Sequence, residues 1–202
     1  MERFELPKPA PMIPPVPAIV LGVKGDERTP DDLTVVWTFV LNGNPPQVGI
    51  TVHERSAISG EGHVALGFLN LHREFTLNVP DASWVHAFDI IDMCASERDD
   101  KFKRAGLTRL PSKRIGAPGI AEAGIVLECR AIQKHPLPPS RTLFAAEVLR
   151  TTTRPGVTDA SGRLNPKSLP FFGMVAGCGE FYTFGRKVGH IGQTKNRNDI
   201  RY

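Results

Sequence analysis

The sequence predicts a mainly β fold with flanking helices: an antiparallel sheet or barrel with helices packed outside it. Three observations point there. Short β-branched and aromatic runs recur, closed by Gly, Pro or Asn, and in several of them apolar and polar positions alternate. The 202 residues hold 18 prolines and 19 glycines, an excess over ordinary usage that favours turns and short strands. Only three stretches carry helical spacing.

Residues 1–16 read as an extended proline-rich arm, with Pro7, Pro9, Pro11, Pro14 and Pro15 preventing regular structure. Residues 17–190 form one domain, without internal repeat or dividing linker, and residues 191–202 a polar tail. Ala18 to Val23 is a short apolar strand ended by Lys24-Gly25-Asp26. Leu33 to Leu41 reads as one β-branched and aromatic strand, closed by Asn42-Gly43-Asn44-Pro45-Pro46. In Val48 to His53 the residues Val48, Ile50 and Val52 alternate with small or polar ones, a strand with one buried face. His63 to His72 carries helical spacing, and Phe75, Leu77 and Val79 then return to alternation. Trp84 to Cys94 and Asp99 to Ala105 are short helices, the second ended by Gly106. Gly124 to Ile132 and Thr142 to Leu149 are strands separated by the Pro-rich stretch His135 to Ser140. Thr151 to Pro170 is a polar loop, and Glu180 to Val188 a last strand.

Composition narrows the functional classes. Hydrophobic residues make up 41% and charged residues 23%, which excludes a disordered, collagen-like or coiled-coil chain. A net charge of +4 suits anionic ligands, yet the cations Arg186, Lys187, Lys195, Arg197 and Arg201 lack the interleaved aromatics of a nucleic-acid site. No apolar run approaches membrane-spanning length, and Cys94, Cys129 and Cys178 show no paired spacing, so a reducing cytoplasm and no membrane contact are expected.

A search for self-sufficient catalysis finds little. Six histidines show no metal-ligand spacing, so no metal is expected, and the chain lacks a GxSxG elbow, a P-loop and a Rossmann GxGxxG. Glu128 and Glu147 sit in strands, where pairing with Arg130 or Arg150 accounts for them better than a catalytic dyad. A protein without its own acid, base or nucleophile borrows its chemistry from a cofactor.

An ordered series of motifs says which. Asp31-Asp32-Leu33-Thr34-Val35-Val36-Trp37 is followed by Pro45-Pro46, the strand Val48 to His53, and Arg55-Ser56. Then come Glu74-Phe75-Thr76-Leu77-Asn78-Val79-Pro80, Asp100-Lys101-Phe102 with Gly106-Leu107, Ala117-Pro118-Gly119-Ile120, Leu127-Glu128-Cys129, and Leu143-Phe144 through Glu147-Val148. In these residues, spread over Pro17 to Tyr182, the chain resembles the flavin reductase-like, FMN-binding split-barrel family, which includes flavoredoxins.

The resemblance implies an FMN-binding split β-barrel that passes hydride from NAD(P)H to flavin, with FMN held or exchanged at a homodimer interface and an oxygenase or other electron acceptor downstream. It implies that Thr34, Val35, Val36 and Trp37 run along the ring and that Ser96 and Lys101 lie near the cofactor. Arg55, Ser56, Ser59, Gly60 and Gly62 precede the His63 helix, whose N-terminal amides favour an anion, so this bend is the candidate phosphate site. Glu54 and Glu61 fit there only if they turn outward. Phe171 and Phe172 are candidates to lie against the ring.

Four departures stand out. Asp31 replaces a frequent Asn, Val36 a small Ser, and Ala95-Ser96 a Ser-Gly pair. Arg141 occupies the place of a His that flavoredoxin-like members present to the flavin, where a permanent cation would stabilise a reduced, anionic ring. Two other readings stay open: a non-enzymatic electron-transfer flavoprotein, and a split-barrel binding protein that has lost its cofactor.

Overall fold

A computed structural model of the protein describes residues 3–94 and 100–191; Ala95-Ser96 and the tail from residue 192 lie outside them. Along the chain the strands are β1 (Val16–Pro17), β2 (Val20–Val23), β3 (Asp32–Val35), β4 (Trp37–Gly43), β5 (Pro46–His53), β6 (Glu74–Val79), β7 (Arg109–Leu110), β8 (Gly119–Ile120), β9 (Ile125–Leu137), β10 (Arg141–Thr153), β11 (Phe172–Val175) and β12 (Glu180–Thr183). The helices are α1 (Val64–His72), α2 (Val85–Met93), which a 3-10 turn (Ala82–Trp84) leads into, and α3 (Lys101–Arg104).

Seven strands form one antiparallel sheet in the order β3-β2-β6-β9-β10-β5-β4. Its two edges, β3 and β4, are neighbours in sequence with only Val36 between them. The sheet must therefore curl until its edges approach at Val36, yet the two edge strands share no ladder among the described residues. The result is a barrel with a seam. Here the structure corrects the single strand expected over Leu33 to Leu41. Val36 is nearly fully buried and donates its N–H to the Ile19 carbonyl at 3.3 Å, where the chain crosses from one edge of the sheet to the other.

Inside the curl, Leu21, Ile50, Phe75, Leu77, Cys129 and Phe144 pack with Phe68 and Leu69 of α1. A second cluster, on the outer face of the β2, β3 and β6 end, joins Val20 and Leu33 to Trp84, Phe88 and Ile91 around α2 and to Phe102 of α3. That is why β6 is buried on both faces although its sequence alternates. Thr76 and Asn78 point away from the barrel core, bonding the Pro118 carbonyl (2.8 Å) and the Ile120 amide (2.9 Å).

Other boundaries differ from the sequence reading. Strands β9 and β10 each run 13 residues, taking in His135, Pro136, Leu137 and Thr151 to Thr153. The last strand stops at Thr183 and not Val188, and β11 was not foreseen. The end of the arm is pinned, since Val16 and Pro17 pair with Met174 and Gly173. As expected, α1 covers almost the whole of the predicted segment, and Gly106 follows α3 with φ +67. Glu128 pairs with Arg150 at 2.6 Å, while Arg130 pairs with Glu74. Burial pushes the Glu128 carboxyl up, but Arg150 and the Arg114 and Lys113 amides outweigh it and hold it below the ordinary value. Among the described residues no helix is long and apolar enough to cross a membrane.

Gly22 in β2 shows how tightly the layers meet. A Cβ there would lie 2.6 Å from the Thr76 hydroxyl and 2.7 Å from the Pro118 carbonyl. Gly22→Ala is expected to cost about 1–3 kcal/mol, read as a lowered urea midpoint with unchanged m value.

Candidate functional site

The seam opens a cleft with two connected lobes. Val35, His53, Ala57, Ile58 and Asp92 line both, so they form the junction. Three walls meet there: the edge strands β3 and β4, the bend between β5 and α1, and the exposed flank of α2.

The first lobe is polar and small, with a cavity volume of about 60 Å³. Thr34, Arg55, Ser56, His63, Val64, Cys94 and Lys101 line it together with the junction. The Thr34 hydroxyl lies 3.3 Å from His63 Nε2. His63 precedes α1 in an extended conformation (φ −71, ψ 119) and its side chain makes no cap bond; the first helical residue, Val64, lies in the lobe wall. Lys101 is only 3% exposed; its ammonium donates to the Leu33 carbonyl at 2.7 Å and pairs with the equally buried Asp32 at 3.6 Å. It is a buried cation fixing β3 from behind, not a lysine of a solvated charged run.

The bend itself closes most of its own bonds. Ser56 Oγ accepts from the amides of Ile58 and Ser59, the Gly60 amide donates to the Ser56 carbonyl, and Arg55 Nη1 donates to the Gly60 carbonyl at 2.9 Å. Gly60, with φ +73, takes the left-handed conformation that such a turn requires. Ser59 and Gly60 thus sit at the tip, outside the lining, while Arg55 and Ser56 remain in the wall. Glu54 and Glu61 are exposed and line neither lobe.

The second lobe is apolar, about 310 Å³, and bounded by Val36, Trp37, Phe88, Met93, Met174 and Phe181, with Val16 at the end of the arm and Pro17 and Ala18 after it. Among the described residues, one permanent cation stands in it. The Arg141 guanidinium lies 4.0 Å from the centre of the Trp37 ring and donates to Thr51 Oγ1 at 3.2 Å and to His53 Nε2 at 2.6 Å. Strand register explains this grouping. Arg141 sits opposite His53 across β10 and β5, Trp37 sits opposite Thr51 across β4 and β5, and the period of two places Thr51 and His53 on one face.

Titration follows from these neighbours. Burial and the Arg141 charge hold the His53 imidazole below its ordinary value, against Asp92 and the Ser140 carbonyl. Partial desolvation raises the Asp92 carboxyl, helped by Asp89 and opposed by Lys101 and His53. Desolvation also lowers the Arg141 guanidinium from its very high ordinary value.

The structure thus gathers Thr34, Val35, Val36, Trp37, Arg55, Ser56, His63, Lys101 and Arg141 around one cleft. Phe171 and Phe172 lie elsewhere: Phe172 is buried edge-on against Phe88 and Phe181, and Phe171 packs on Phe184. Neither ring lines the cleft; from β11 the apolar lobe takes Met174. Ser96 lies outside the described residues. Asp31 is not in the cleft; it holds the Gly25 amide and pairs with Lys24 at 3.0 Å and Arg109 at 3.2 Å. Sequence reasoning missed His53, Ala57, Asp92 and Phe181. The only available signal was His53 at the end of an alternating strand directly before Arg55-Ser56.

Known proteins carry the same architecture. A family profile described as "Flavin reductase like domain" matches residues 14–169. An uncharacterized protein of Archaeoglobus fulgidus is 26% identical over 163 residues, covering 81% of this chain and 85% of its own length. Among solved structures, flavoredoxin of Desulfovibrio vulgaris (Miyazaki F) superposes with a TM-score of 0.83 at 18% identity, over 96% of this chain and 100% of that one. Nitrilotriacetate monooxygenase component B from Bacillus cereus gives 0.79 at 21% identity, over 90% and 89%. At these identities the superpositions establish the fold.

Proposed function

The chain belongs to the flavin reductase-like family, and from that premise we propose that it is a flavin-binding oxidoreductase whose cleft holds FMN and which oxidises NAD(P)H. One observation carries the reading: a polar lobe with cations and helix-terminal amides opens directly into an apolar lobe walled by an indole, as a phosphate joined to a flat ring requires. The donor set fits the group. Arg55, Ser56, His63 and the α1 N-terminus would take the phosphate, with the Lys101 charge behind them. Val35, Val36 and Trp37 would face the ring, and Arg141 would offer a fixed cation at the apolar end. A bound flavin supplies two-electron hydride acceptance and onward release of electrons.

The chain's own residues then orient and exclude. Phe88, Met174 and Phe181 give the apolar lobe a hydrocarbon wall that would displace water from a bound ring. Arg141, locked between Trp37 and His53, presents positive charge without reorganisation. A homodimer and an oxygenase or other acceptor partner belong to the same reading. Edge strand β4 exposes Phe39, Val40 and Leu41, an apolar edge that a second copy would cover.

Anaerobic stopped-flow mixing of the FMN-reconstituted protein with NADH, then NADPH, tests the proposal. Bleaching of the yellow flavin band at a rate that saturates with nicotinamide is expected. Bound flavin that stays yellow with both donors would make the protein a carrier instead, and protein that binds no FMN would make it a split-barrel binding protein.

A further inference from the structure

Arginine has no acceptor atom, so the 2.6 Å contact between Arg141 Nη2 and His53 Nε2 fixes the chemistry of the imidazole. Nε2 must carry a lone pair, so in the neutral ring the proton sits on Nδ1. His53 is therefore a neutral bracket that holds the side chain of the first residue of β10 from the last residue of β5. The rest of the Arg141 cradle is weaker: a bond at 3.2 Å to the Thr51 hydroxyl, one at 3.4 Å to the Thr51 carbonyl, and the Trp37 ring face. Nothing in the fold or the family match assigns His53 a role.

We propose that His53 is the positioning residue for Arg141, holding the guanidinium against Trp37 as a neutral Nε2 acceptor and releasing it when the imidazole gains a proton. A proton on Nε2 removes the lone pair and sets two cations in contact, so the bond becomes a repulsion. The charged groups around the pair do not undo this. From α2, Asp92 acts on His53 and favours its protonation; Asp89 and, from α3, Lys101 act on Asp92. From the bend, Arg55 lines the polar lobe and its charge opposes a further positive one. The cationic wall of the apolar lobe is thereby organised above the His53 transition and loosened below it. The consequence for a flavin rests on the function proposed above; the bracket itself does not.

The test uses the full chain without flavin, so its failure is distinct from failure of the flavin reading. Emission of Trp37, isolated by subtracting a Trp37→Phe control that keeps Trp84, is followed from pH 8 to pH 5. A single titration with a midpoint below about 6.5 is expected in the wild type. His53→Gln, which keeps a neutral acceptor, is expected to lose the titration and stay at the high-pH emission; His53→Ala should stay at the low-pH emission throughout. In parallel, long-range 1H–15N spectra of labelled wild-type protein at pH 8 should show His53 with its proton on Nδ1, a readout that needs no variant to fold. A flat wild-type profile, a His53→Gln protein that titrates like wild type, or a proton on Nε2 would each overturn the assignment.

Discussion

Lys101→Met is expected to lose about 3–5 kcal/mol of stability, the cost of removing one partner of a buried ion pair. Lys101 and Asp32 are each 3% exposed and pair at 3.6 Å, and the same ammonium donates to the Leu33 carbonyl at 2.7 Å. The methionine keeps the length and apolar stem of the lysine, so the loss reports charge and hydrogen bonding more than volume. At 2–4 °C per kcal/mol for a chain of this size, Tm should fall by roughly 10 °C. The double variant Asp32→Asn/Lys101→Met should recover part of the loss, because both charges of the buried pair are then removed together. A single variant melting within about 2 °C of wild type would show that the ammonium does not hold the edge strand in place.

Ala57→Glu is expected to weaken FMN binding about 100-fold, or about 2.8 kcal/mol at 1.4 kcal/mol per decade, with stability unchanged within about 0.5 kcal/mol. Ala57 is exposed and lines both lobes, so a longer side chain meets the ligand and not the core. Its carboxylate stands where phosphate and ring would join, adding like-charge repulsion to steric exclusion. Isothermal titration with FMN reads the affinity, and urea unfolding of the same sample reads the stability. Unchanged affinity would place the flavin away from this junction.

The parts of this account that were legible in the sequence are those governed by local pattern. Val48, Ile50 and Val52 announce β5, the His63–His72 spacing announces α1, and Gly106 marks the end of α3. The family resemblance named the fold, and the profile match and the superpositions agree with it. What stayed hidden depends on pairing between distant segments. Nothing in Leu33 to Leu41 signals that Val36 joins opposite edges of one sheet, because an apolar residue suits a strand interior and a crossing equally well. The His53–Arg141 bracket needs the β5–β10 register, which no single segment encodes. Lys101 lies among charged residues in sequence, yet its burial is decided by Asp32 and Leu33, about 70 residues earlier. Phe171 and Phe172 read as ring partners by composition alone, and the hairpin β11–β12 instead brings Phe181 to the cleft.

The flavin in the seam is tested most directly by titrating FMN with flavin-free protein while following flavin fluorescence. Saturable quenching at one FMN per chain, lost in Ala57→Glu, is the result expected from the two-lobed cleft. FMN that stays fully fluorescent in excess folded protein, or quenching that Ala57→Glu leaves unchanged, would contradict it.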